Sequence, residues 1–146
     1  MSNELNIEQL LKALDNEDNA SVIQLNYEKI AANKNDILQK LHLPKEQLKN
    51  LIKTVKTYRH VDTLDELRYG SYMRWISLKK SVSPADIKLT NGGILCHMKQ
   101  VDNNIHLVCK TKMGFLIQLN MSENIIFQKL NDEEMIILSA LKFLDA

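Results

Sequence analysis

Proline, glycine and cysteine are scarce in this chain of 146 residues, which holds two, four and two of them. So little Pro and Gly excludes collagen-like and low-complexity classes, and ordinary apolar and charged fractions exclude disorder. Two cysteines allow no more than one disulfide. No apolar run approaches the roughly 18 residues of a membrane span. Neither sign of charge dominates, the formal balance being +1, which argues against a general nucleic-acid binder of the strongly basic kind. The signatures of nucleophilic catalysis, phosphate loops and metalloproteases are missing, and no CxxC or HxxxH spacing occurs. A non-catalytic protein without cofactor or metal is therefore expected.

What is present is enough chain for one core. Charge is balanced overall but unevenly placed. Residues 1–43 carry four Lys against seven acidic residues, a net −3; residues 44–60 carry four Lys and Arg59 against Glu46, a net +4; residues 61–146 carry ten of each sign. The N-terminal stretch MSNELNIEQLLKALDNEDN is acidic and has neither the basic flank nor the apolar run of a signal peptide. A cytoplasmic or nuclear, reducing location is expected, with no membrane partner.

Hydrophobic period divides the chain in two. From Ile7 to His60 apolar residues recur at helical spacing; from Tyr69 to Leu130 they largely alternate. The first helix is expected over Ile7–Leu14, with Leu10, Leu11 and Leu14 on one side, followed by a polar turn at Asp15–Asn19. Ser21 can cap a second helix running towards Leu41, which the Asn33–Asp36 patch could interrupt. Pro44 suits the first position of a third helix, on which Leu48, Leu51, Ile52, Val55 and Tyr58 follow at helical intervals.

In the second half, DTLDELRYG reads as a short helical turn or loop and Tyr72–Leu78 as a strand. Two longer strands follow, with Ile94, Cys96 and Met98 sharing one face and Ile105, Leu107 and Cys109 another. Asp102-Asn103 or Asn103-Asn104 forms the hairpin tip. A further hairpin is expected to join FLIQLNM to NIIFQKL through Ser122–Asn124. Asn131 with Glu134 resembles a capping box at the start of a last helix that covers one side of the sheet. The expected fold class is α+β: N-terminal helices, then a small twisted antiparallel sheet or partly open barrel of about five strands, closed by a C-terminal helix. Residues 1–60 form the helical region, packed on a β domain spanning 61–146 in one cooperative unit.

The segments LRYGSYMRWISL (67–78) and FQKLNDEEMIILSALKFL (127–144) resemble small uncharacterised proteins of nucleocytoplasmic large DNA viruses of amoebae and algae. The resemblance implies a viral accessory or virion component and carries no activity or site residue. An AT-rich coding composition, with many Asn, Lys and Ile, is compatible with it.

Three groups of residues can carry an interaction. Lys45, Lys49, Lys53, Lys56 and His60 step by three or four residues, so on a helix they form a ridge with Arg59 beside its end. Such a ridge could meet a phosphate backbone or an acidic partner, although a solvated helix face is the plainer reading. Arg68, Tyr69, Tyr72, Arg74 and Trp75 form the densest aromatic and guanidinium cluster, a composition common at binding hot spots. Strand alternation sends Trp75 to the core and leaves Arg74, with Tyr72, on the other face. Cys96 and Cys109 are expected opposite one another as reduced core thiols. His97 and His106 alternate away from them, which disfavours zinc. Gly92-Gly93 reads as a strand-entry turn, and Asp132–Glu134 as an acidic helix start.

Two functions remain. The first is a protein-interaction or assembly component, whose partner is another protein or a second copy of the chain, engaged through a sheet edge or the surface of Arg68, Tyr69, Tyr72 and Arg74. The alternative is nucleic-acid binding by the basic helix 44–60.

Overall fold

The computed structural model describes residues 7–78 and 87–144. Four helices precede the sheet and one follows it: α1 (Ile7–Asp15), α2 (Ala20–Ile23), α3 (Tyr27–Gln39), α4 (Lys45–Thr54) and α5 (Asp132–Leu144). α1 turns Ala13 into a core, with Leu10 beside it, and leaves Leu11 and Leu14 exposed. The expected second helix is two. Asn26 breaks it by accepting a hydrogen bond from the Lys29 amide and so capping α3 afresh, the geometry for which a short side-chain carbonyl is suited. The Asn33–Asp36 patch does not interrupt α3. Pro44 stands one residue outside α4, at its N-cap.

Six antiparallel strands form one open sheet in the order β1-β6-β2-β3-β4-β5. They are β1 (Tyr58–Val61), β2 (Tyr72–Ser77), β3 (Gly93–Val101), β4 (Asn104–Lys110), β5 (Leu116–Asn120) and β6 (Asn124–Lys129). The α+β class stands, with one strand more than expected. The extra strand is β1, which the sequence assigns to the third helix. Val55 and Tyr58 enter the same core as Leu51, so helical spacing is satisfied although the chain leaves the helix at Thr54. Pairing of Tyr58–Val61 with Ile126–Lys129 then fixes the strand.

The expected hairpin between the last two strands is absent. β5 lies at one edge, β6 between β1 and β2, and a 3-10 turn, Met121–Glu123, joins them. Across a flat sheet these strands would stand about four spacings, ~19 Å, apart, beyond the ~14 Å that so short a connection reaches. The sheet must therefore curl. Its concave side gathers Val61, Met73, Trp75, Leu95, Leu107, Cys109, Leu119 and Ile126 from all six strands. The opposite side of β1, β2 and β6 presents Tyr58, Ile76, Ile125 and Phe127 to Leu38 of α3 and Leu51 of α4. Burying each such side chain contributes about 1.5–3 kcal/mol.

A third cluster, Ala13, Val22, Ile30, Leu130, Ile137 and Leu138, joins the helices. α5 packs chiefly on α1 and α2, where the sequence reading places it over the sheet. Its start is the expected box: the Asn131 side chain accepts from the Glu134 amide, and the Glu134 carboxylate accepts from the Asn131 amide. Thr63 and Glu66 make a second box around the turn Leu64–Glu66. No described helix is long and apolar enough to cross a membrane.

The β3–β4 hairpin turns on Asp102-Asn103, both at positive φ, as a type I′ turn requires. Val101 pairs with Asn104 as expected, but a bulge between Leu95 and His97 changes the register beyond it. Leu95, not Cys96, pairs with Cys109. The bulge exchanges the faces: Leu95 is buried while Ile94 and Cys96 are exposed. The expectation that both cysteines are core thiols thus fails for Cys96, and both thiols are free.

Candidate functional site

The sequence-nominated residues separate into three places. On α4 and the turn after it, Lys45, Lys49, Lys53 and Lys56 are exposed. The ridge ends there, because the helix stops at Thr54. Arg59 and His60 lie on β1 instead. Arg59 is buried: one terminal nitrogen donates to the Ser21 hydroxyl at 2.8 Å and to the Glu66 carbonyl at 3.1 Å, and Nε faces the Glu134 carboxylate. His60 is half-buried, with Nδ1 3.1 Å from the Asn33 side-chain oxygen and its ring edge-on to Phe127. The six-residue basic face expected from helical spacing does not form.

The aromatic and guanidinium cluster divides as well. Arg68 is spent internally: its guanidinium donates to the Asn19 side chain and the Asp18 carbonyl, and its amide to Gln128. Gln128 in turn donates to the Glu66 carbonyl. Arg59, Arg68, Asn19, Gln128, Glu66 and Glu134 thereby tie the N-terminal helices, the sheet and α5 together. Tyr69 is exposed beside Gly70, at a turn away from the residues that follow.

Tyr72 and Arg74 belong to a groove of about 840 Å³. β2 alternation puts them on the side opposite Met73 and Trp75, and Trp75 is buried as expected. The segment before β3 runs close alongside β2, with Leu89 bridged to Ile76. Thr90 accepts from Arg74 Nε at 2.8 Å, and its amide donates to the Trp75 carbonyl at 2.9 Å, while the Tyr72 hydroxyl donates to the Asn91 carbonyl. Gly92 permits the approach. It has φ +81°, and a Cβ there would stand 1.9 Å from the Met73 carbonyl oxygen and 2.9 Å from Arg74 Cγ.

The facing wall is the β4–β5 loop. Thr111 closes it by donating its amide to the Phe115 carbonyl and accepting on its hydroxyl from the Phe115 amide, while Gly114 donates to the Thr111 carbonyl. This turn holds out Met113 and Phe115, 83% and 65% exposed. Ile117 of β5 continues the wall, and Tyr58 and Lys129 complete the lining. Burial pushes the Tyr58 phenol up, against the lowering effect of the Arg74 guanidinium.

Among the described residues, the lining carries Arg74, Lys112 and Lys129 and no Asp, Glu, His or Cys. It offers positive charge, apolar surface and main-chain groups. Sequence reasoning missed Lys112, Met113, Phe115, Ile117 and Lys129 as site residues. The available signal was Phe115-Leu116-Ile117, an apolar run directly after a glycine turn, which reads equally as core strand.

A smaller apolar cleft lies between α3, α4 and α5, lined by Ile30, Leu38, Ile52, Leu130 and Met135. Lys34 on its rim donates to the carbonyls of Val55 and Lys56, which satisfies the end of α4. Burial lowers its pKa.

Comparison with protein families, with characterised proteins and with solved structures finds no match to this chain, and nothing there links it to nucleocytoplasmic large DNA viruses.

Proposed function

We propose that the protein is a non-catalytic interaction or assembly component that engages a partner protein, or a second copy of itself, along β5 and the adjoining groove. The observation that carries this reading is the character of the β5 edge. Leu116 and Ile117 are exposed on an edge strand, with Met113 and Phe115 exposed on the loop that leads into it, and among the described residues no strand pairs with its outer side. Solitary exposed apolar residues need no explanation, but a contiguous set beside unpaired main-chain groups marks an interaction site. At the other edge, β1 packs against α3. A viral accessory or virion role belongs to the same proposal and rests on the resemblance of segments 67–78 and 127–144.

Nucleic-acid binding by the basic helix has less support, since the ridge keeps Lys45, Lys49, Lys53 and Lys56 but loses Arg59 to a buried ion pair and His60 to the sheet. The test combines light scattering over a wide concentration range with selection from a displayed library of extended peptides. Self-association, or peptide enrichment, that Phe115→Asp with Ile117→Lys abolishes is the expected result. A chain that stays monomeric and enriches no peptide sensitive to those substitutions overturns the proposal.

A further inference from the structure

Resting on that reading, the geometry points to the chemistry of the partner: an acidic, extended peptide segment that adds as a strand to β5 and lays alternate side chains into the groove. Charge is the first argument. Among the described residues Arg74, Lys112 and Lys129 give the lining +3 with no carboxylate, in a chain whose total is +1. Exposed Lys45, Lys49, Lys53 and Lys56 form a second positive face, but Glu46 stands exposed among them, whereas the groove's described lining holds no carboxylate. In a concave, partly apolar site such a cluster selects acidic partners and repels basic ones.

The second argument is the wall itself. Strand addition supplies affinity through main-chain hydrogen bonds and specificity through pockets for every other side chain. Ile117 shares the face of its register partner Cys109 and of Leu119 and reaches the groove at the exposed start of β5, whereas Leu116 and Gln118 lie on the other face. A strand laid about 4.8 Å outside β5 brings one set of its side chains beside Ile117, in a groove whose lining also holds Phe115, Lys112 and Lys129.

Single-stranded nucleic acid shares the negative charge but needs aromatic faces on which bases stack. Tyr58 and Trp75 are only 7% and 5% exposed, and the Tyr72 hydroxyl is held by Asn91. Phe115 alone among the groove's aromatic residues stands well out into solvent. The groove thus suits a peptide better than a run of bases.

The test uses the full chain and fluorescence anisotropy with labelled probes: short peptides alternating Val with Glu, with Thr or with Lys, and oligo(dT). Hydrogen exchange of the amides at 115–120 reads strand addition. The Glu peptide is expected to bind best, to weaken with added salt and with alternate backbone N-methylation, and to lose about tenfold or more in affinity with Lys112→Glu and Lys129→Glu together. Both lysines are exposed, and circular dichroism checks that the variant folds. If the Thr or Lys peptide binds as well while still protecting 115–120, the acidic preference falls and the interaction reading stands. If no peptide protects β5, strand addition by an acidic peptide falls, and the interaction reading falls with it when the chain also stays monomeric in light scattering and enriches no peptide from the displayed library. If oligo(dT) outcompetes the Glu peptide and is lost with the same reversals, the surface is a nucleic-acid site and both are overturned.

Discussion

Arg59 Nε lies 3.7 Å from Glu134 Oε2, joining β1 to the first turn of α5 where the two residues are 2% and 1% exposed. The pair lies in the network that holds the three hydrophobic clusters in one unit, and Glu134 also caps its own helix. Removing one partner of a buried pair leaves an uncompensated charge, at about 3–5 kcal/mol. Glu134→Ala should lose that much in urea unfolding, and Arg59→Met a similar amount. The double replacement Arg59→Met with Glu134→Leu should be less destabilising than the sum of the two, because neither fully buried charge is left behind, and Glu66, the other carboxylate near Arg59, is partly exposed and held in its own capping box. Additive losses in that cycle would show that the two side chains do not act on each other.

Gly92 and Gly114 both sit at positive φ, but only Gly92 is hemmed in by backbone. Alanine at Gly114 meets open space and should cost only the left-handed strain, about 1–2 kcal/mol. At Gly92 the same strain is joined by collision with the Met73 carbonyl, so Gly92→Ala should cost on the order of 3 kcal/mol or more. It should also displace Thr90 from Arg74 and weaken the groove's binding. Equal losses from the two variants would refute the close approach of residues 90–92 to β2.

The periodic elements were legible because period is a direct trace of burial. Trp75 and Met73 turn inwards, the turn at Asp102-Asn103 forms, and Asn131 with Glu134 starts α5. What escaped is what period does not encode. One residue of bulge at Cys96 inverts the face of Leu95 and its neighbours, and a single residue's offset cannot be read from an apolar run such as Gly-Ile-Leu-Cys. The connection from β5 to β6 looks like a hairpin locally, and only the curl of the whole sheet sends β6 between β1 and β2. The basic ridge failed for a similar reason: helical spacing continued past Thr54 while the chain became a strand. Half of the groove was visible as Tyr72 and Arg74. The other half, Lys112 to Ile117, is brought opposite them by tertiary structure alone.

The bulge gives the two thiols different chemistry. Cys109 is buried on the concave side, and burial pushes its pKa up to about 12, with Cys96 adding to the effect. The thiolate is the reactive species, so Cys109 should resist alkylation in the native protein while exposed Cys96 reacts. Mass spectrometry after iodoacetamide should find one modified thiol per folded chain, on Cys96, and two after denaturation. Cys96→Ser should be nearly neutral, whereas Cys109→Ser places a hydroxyl in an apolar core at a cost of about 1–3 kcal/mol. Rapid labelling of Cys109 under native conditions would contradict the register that buries it.

His60 supplies a dependence on pH whose sign follows from its surroundings. Burial lowers its pKa below the ordinary 6.5, against the raising effects of Asp62 and Glu66. The folded state therefore favours neutral imidazole, which packs edge-on against Phe127 and meets Asn33. Above pH 6.5 neither state is protonated there and the contribution is complete. As pH falls from 6.5 through the lower folded value, the unfolded chain takes up the proton first and stability declines; below that value the loss levels off. Acidic groups also titrate as the solution becomes more acid, so the informative quantity is the difference between the parent chain and His60→Gln in urea unfolding at successive pH values. That difference should narrow as pH falls from 6.5, and the imidazole resonances of His60 should titrate with a midpoint below 6.5. A midpoint above 6.5, or a difference that widens on acidification, would mean that the neighbouring carboxylates outweigh burial and that His60 stabilises the fold as a cation.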